Sequence, residues 1–451
     1  MGHKKTRRLI ELVKDAAILL LCVSAVYLVG RTQLYTGQDW FTGVRALLPG
    51  RAEPEASQPV GGWGQGGVMR PVRIAVASPQ GTFAVQYDSA KAAEVFSALA
   101  NPLSDALAGA GAPKRVGSSD WRAALSGRTT GIYLDFLGDI PLAALSSWLS
   151  GGREPSANLT ATVRRLILTS DPAGNAVLYY INETDGMYYA CSSTATLKGR
   201  LDGLLDVSTM STARFAFQDD SLGDLAPITL LGVEAPRPKV YAAADPLPLT
   251  AEAQTGGDAA FESFLSSLSF HPQSYSAYPT TDGVGIQEGA DTLRVSRSGV
   301  VTYKAAEEDA PRYSIASAGP IPRPWEVVDG AWAFVEKTLA PLCGEAQLYL
   351  IGTEPSGDAT AVLFGYQLSG AAVQVGREGY AARVVVKDGA ITDYTFQLRT
   401  YADTGETSIV LPESKAMAAM SARDAQGSEL LLAYLDQGGD RVQAGWIAQK
   451  P

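Results

Sequence analysis

The chain has 451 residues, 46% of them hydrophobic and only 19% charged, which is enough material for two or three domains with proper cores and excludes disorder as its main state. Its formal charge of −10, with no long basic run, makes it a poor partner for nucleic acid or any other polyanion. Two histidines and three cysteines leave metal and thiol chemistry short of ligands, so no metal and no cofactor is expected.

The first 31 residues hold six Lys/Arg (Lys4, Lys5, Arg7, Arg8, Lys14, Arg31) against Glu11 and Asp15, which divides the charge into +4 there and −14 over the rest. Between Asp15 and Arg31 lie fifteen uncharged, almost wholly apolar residues. As a helix they span roughly 22 Å, and the flanking residues together with snorkelling Lys14 and Arg31 extend that reach toward the ~30 Å of a bilayer core. Residues 16–35 therefore read as a transmembrane anchor behind a cytoplasmic basic tail, 1–15, with the body outside the cell membrane. The competing reading is a cleaved leader ending near Val23 and Ala25, which would leave an apolar region of only about nine residues. Within the anchor, Ala17, Leu21, Ser24 and Leu28 share one helical face, where small residues allow close approach and Ser24 can bond across a helix–helix interface; exposure to lipid is the alternative.

Residues 36–70, with PGRAEPEASQPVGGWGQGG, read as a juxtamembrane linker. An amino-terminal α+β domain follows over 71–245. VRIAVAS and GTFAVQYD form a hairpin, and Ala92, Val95, Phe96 and Leu99 mark a helix with Ser89 as its N-cap. GIYLDFLGDIP, TVRRLILTS, AVLYYINE and MYYACSS are strands, TLKGRLDGLL is helical, ARFAFQDD is a strand, and a Pro-rich stretch closes the domain. A central module, 257–320, opens with Phe261, Phe264, Leu265 and Leu268 on one helical face, then short strands split by Asp282-Gly283, Glu288-Gly289 and Ser298-Gly299. A carboxy-terminal module, 323–451, repeats the order: the helix GAWAFVEKTLAPL, then strands from AQLYLIGTE to SIVLP, a helix near 413–420, and the strands LLLAYLDQ and VQAGWIA. The fold class is α+β, antiparallel sheets with flanking helices, with the last two modules related to each other.

The central module resembles the YycH family. The residues that carry the resemblance are Phe264, Phe270, Pro272 and Ser274, then Asp282-Gly283, Gln287-Glu288-Gly289, Leu293-Arg294-Val295, Ser298-Gly299 and Tyr303; Leu411-Pro412, Tyr434 and Trp446 agree near the end. Residues 71–245 carry no such likeness. The resemblance implies a single-pass regulator of the WalK/WalR two-component system of Gram-positive bacteria, acting with a YycI-like partner on the histidine kinase through transmembrane and outer contacts, without catalysis. A homo- or heterodimer is compatible with this. The alternative is an extracytoplasmic module that binds a peptide or cell-wall fragment.

A direct search for chemistry gives little. His271 is the one histidine beyond the tail, so a Ser-His-Asp set has a single candidate base. No Lys beyond the anchor has Ser three residues before it, and no Gly-x-Ser-x-Gly occurs. Asp403-Thr404-Gly405 occurs once and reads as a hairpin turn, not half of a protease dyad. Asp219-Asp220 and Glu307-Glu308-Asp309 read as solvated loops. The tyrosines at 179, 180, 188, 189, 275 and 278 read as core or edge packing before interface. Cys191 and Cys343 read as buried free thiols.

Overall fold

The computed structural model describes residues 69–197, 201, 203–250, 258–306, 311–421 and 427–450. The basic tail, the anchor and nearly all of the linker lie outside them. No helix among the described residues is long and apolar enough to cross a membrane.

Nine strands build the first sheet: β1 (Arg73–Ser78), β2 (Gly81–Val85), β3 (Lys114–Arg115), β4 (Gly131–Pro141), β5 (Thr162–Ser170), β6 (Asn175–Asn182), β7 (Met187–Thr196), β8 (Ser211–Phe215) and β9 (Leu230–Gly232). Their order is β3-β7-β6-β5-β4-β1-β2-β8-β9. The β1–β2 hairpin and the strands β4 to β7 fall where the sequence places them. Side chains alternate between two buried faces: Ile132, Leu134 and Phe136 of β4 join one core, and Tyr133 joins Trp121 and Ile167 in the other. Helices α1 (Ser89–Ala108) and α3 (Leu142–Leu149) belong to the first face, and α2 (Ser118–Ala124) carries Trp121 to the second. Asp88 caps α1, one residue earlier than the expected Ser89, because its Oδ1 accepts the Lys91 N–H at 2.9 Å.

A three-stranded sheet follows, with β10 (Lys239–Ala244) between strands contributed from much later in the chain. Helix α4 (Ala259–Ser267) buries Phe261, Phe264 and Leu265, and the meander β11 (Ser276–Pro279), β12 (Gly283–Glu288), β13 (Asp291–Ser296) and β14 (Val300–Lys304) comes next. Helix α5 (Pro324–Thr338) leads into β15 (Gln347–Ser356), β16 (Ala359–Leu368), β17 (Ala371–Val375), β18 (Ala382–Lys387), β19 (Ala390–Gln397) and β20 (Thr400–Thr407). The chain ends in α6 (Glu413–Ser421), β21 (Glu429–Asp436), β22 (Arg441–Val442) and β23 (Ala444–Gln449). Strand β14 pairs with β19, so residues of both later modules build one eleven-stranded sheet, β11-β12-β13-β14-β19-β18-β16-β17-β21-β23, with β15 also on β16. Every pairing in it is antiparallel except β17 with β21. Strands β20, β10 and β22 form the small sheet.

The two large sheets share one continuous core that runs from Leu99, Leu103 and Leu145 to Val328, Phe334 and Tyr394. Trp148 of α3 donates to Asp329 of α5 at 2.6 Å, which ties the two helical layers together. At a second junction, β4 shifts register between Asp135 and Ile140 and its Gly138 lies against β15. A Cβ there would sit 1.9 Å from the Leu350 carbonyl oxygen, so only glycine permits that approach.

Several sequence expectations need correction. The strand expected through ARFAFQDD ends at Phe215 and gives way to a 3₁₀ turn over Ala216–Gln218. Leu201 and Leu204 lie in turns, not in helix, and part of TLKGRLDGLL is outside the described residues. SIVLP is not a strand: Ser408 donates to the Pro238 carbonyl at 2.7 Å and Pro412 receives the first N–H groups of α6, which leaves Ile409–Leu411 as an irregular bridge. Strands β9, β10 and β17 were not expected from the sequence.

Candidate functional site

The expected helix–helix interface of Ala17, Leu21, Ser24 and Leu28 lies outside the described residues, as does the Glu307-Glu308-Asp309 cluster. Among the described residues no group of three or more His, Cys, Asp and Glu could hold a metal ion. His271 sits in an exposed loop, where its main-chain N–H donates to Glu288 at 3.2 Å. That carboxylate also accepts from Ser274 Oγ and pairs with Arg312 at 2.6 Å, so Ser274 and Glu288 hold a loop together. Asp403-Thr404-Gly405 lies inside β20 and not at a hairpin turn. The register against β10 slips there, Gly405 takes φ +74°, and Asp403 pairs with Lys239 at 2.7 Å.

The tyrosine doublets divide between the two faces of the first sheet. Tyr180 stacks on Tyr189 at 5.8 Å, and Tyr188 meets Trp121 edge-on at 6.2 Å. They pack the fold. Tyr278 lies over Gly285, and Tyr275 packs against the core. Cys191 and Cys343 are buried and unbridged.

What the structure gathers is a set of charges that sequence reasoning missed. Arg73 of β1, Asp135 of β4, Arg164 and Arg165 of β5 and Glu429 of β21 meet in the interior, all almost fully buried. Arg73 pairs with Asp135 and, at 3.0 Å, with Glu429. Arg164 reaches Asp135 at 3.3 Å and Glu429 at 3.2 Å, and Arg165 pairs with Glu429. Tyr133 Oη and the Leu137 N–H donate to Asp135 at 3.2 Å and 2.9 Å. Burial by itself pushes both carboxyls up, but the three guanidinium groups outweigh it and hold Asp135 and Glu429 below the usual carboxylate range. Three cations face two anions, and half-buried Asp139 and Glu183 stand close enough to feel Arg164 and Arg165. Burial nevertheless raises both of their values, and for Glu183 the neighbouring Asp139 adds to it.

Strand β21 is thereby tied to the first sheet at its Glu429 end. At its other end Asp436 accepts two bonds from Arg399, at 2.7 and 2.9 Å, and one from Tyr401 at 2.8 Å. Between these anchors β21 carries β23. Beside β23 the irregular bridge leaves Ile409 99% and Leu411 53% exposed, with the Leu411 carbonyl accepting from Trp446 Nε1 at 2.7 Å. With Met420, Leu430, Trp446 and Ala448 they line an apolar groove of about 390 Å³. Such an arrangement supplies an exposed apolar surface beside β23.

No family model matches the chain, and no curated protein matches it. Among solved structures, YycH from Bacillus subtilis is similar: the TM-score is 0.52 at 13% sequence identity, over 84% of this chain and 93% of that one. That coverage exceeds what residues 257–451 can supply, so it takes in the amino-terminal sheet, where the sequence carries no likeness. The chain has the fold of YycH.

Proposed function

We infer that this chain is a membrane-anchored, non-catalytic accessory regulator of an envelope-sensing histidine kinase of the WalK type, working through protein contacts together with a YycI-like partner. The observation that carries the reading is the YycH fold over 84% of this chain and 93% of the other. The charge pattern supports it from the other end, since a +4 tail, an apolar segment and a −14 body suit one crossing with the body outside. In this reading the anchor face of Ala17, Leu21, Ser24 and Leu28 packs on helices of the kinase or partner, and the outer sheets bear further contacts. The test is affinity capture of the full chain from membranes of its own cells after crosslinking. The reading expects a histidine kinase and a sister regulator in the captured material. Recovery of neither rejects it.

A further inference from the structure

Sheet edges are pairing sites unless something blunts them, and here the other edges are blunted. Strand β3 is two charged residues long, and β11 carries Pro279, which has no N–H. Strand β9 has three residues with Leu230 and Leu231 buried, β15 carries Glu354 and Pro355 near its end, and β20 is bulged and carries Asp403 and Glu406. Strand β23 differs. Its six residues, AGWIAQ, hold no charge and no proline, one side pairs with β21, and no described strand pairs with the other.

We propose that the free edge of β23 and the adjoining groove at Ile409, Leu411 and Trp446 are a docking site for an extended segment of a different protein, which adds a strand to the eleven-stranded sheet. The segment has apolar residues at alternate positions, to fill the groove while its backbone pairs with β23, and carboxylates at its flanks. Charge selects that chemistry. On a chain of net charge −10, the exposed described charges directly next to the lining or to β23 in sequence are basic, Lys415 beside Ala416 and Lys450 after β23, while Glu429 beside Leu430 is buried and paired with arginines. A second copy fits poorly, because it brings two acidic bodies together and sets Lys450 of each copy toward the Arg441 end of the other.

The proposal rests on the reading that the chain works by protein contact, and one experiment separates the two. The full chain is expressed in its own cells with a photoreactive p-benzoylphenylalanine in place of Ile409 or, as a control, of exposed Ala123 on α2. Mass spectrometry then locates the adducts. The expected result is an adduct from position 409 to a partner segment of alternating apolar residues with acidic flanks. Lys415→Glu with Lys450→Glu should lower its yield about tenfold while leaving thermal unfolding unchanged. An adduct to a second copy or to lipid, a yield untouched by charge reversal, or no adduct above the control overturns the proposal. If the crosslinked membranes still yield the kinase, only the docking site has failed; if they yield no partner, the functional reading has failed as well.

Discussion

The two ends of β21 are both held by buried carboxylates, yet by different means. Glu429 is fully buried among three guanidinium groups, whereas Asp436 takes a two-point clasp from Arg399, which is itself partly exposed. The first arrangement is costly to break because every member depends on the others. The second is local. Strand β21, laddered to β17 and β23 along its length, is thus fastened to the amino-terminal sheet at one end and to the Arg399–Tyr401 segment at the other.

The largest effect should come from Glu429→Gln, which leaves guanidinium groups uncompensated in the interior and should cost about 3–5 kcal/mol in urea unfolding. Asp436→Asn keeps the shape of its site and leaves uncompensated only Arg399, which is partly exposed, so about 1–3 kcal/mol is expected by the same measurement. If the two costs are equal, the contrast between the ends fails.

Glu183 sharpens the first end through pH. Burial, then Asp139, holds its carboxyl above the ordinary value, with Arg165 opposing. A folded value above the unfolded one means that the bound proton stabilises the fold at low pH, and that this contribution is lost as pH rises through the folded value. Glu183→Gln should therefore flatten the decline in urea midpoint as pH rises from about 4 to about 7 and leave the protein more stable at the upper end. The smallest effect belongs to Ile409→Glu. With 99% of the residue exposed, stability should change by no more than about 0.5 kcal/mol in thermal unfolding, although the groove acquires a charge.

The sequence shows α1, α4, α5, α6 and the long antiparallel strands because their apolar residues repeat at 3.6 or 2 and end at Gly, Pro or Asp, as in α4 and the β11–β14 meander, but it misses α2 and α3, which are only seven and eight residues long. It hides β9, β10 and β17, which are short and lie next to proline or glycine. It misplaces Ile409–Leu411, because an apolar run looks the same whether it is buried in a sheet or left in solvent. The charge cluster was invisible as a whole, since Arg73 and Glu429 are 356 residues apart in the chain. Its parts did leave a trace: an Asp inside GIYLDFLGDIP and two Arg inside TVRRLILTS are charges in strands too apolar to face water. The anchor face falls on residues that the structure does not describe, so it stands on the sequence alone.

The most direct measurement is the level of phosphorylated response regulator in cells with and without the chain. The account predicts that deletion shifts that level, that the full chain restores it, and that a chain whose anchor carries Ala17→Leu and Ser24→Leu restores it poorly. A level that deletion leaves unchanged, under conditions where the kinase is active, contradicts the claim that this protein regulates it.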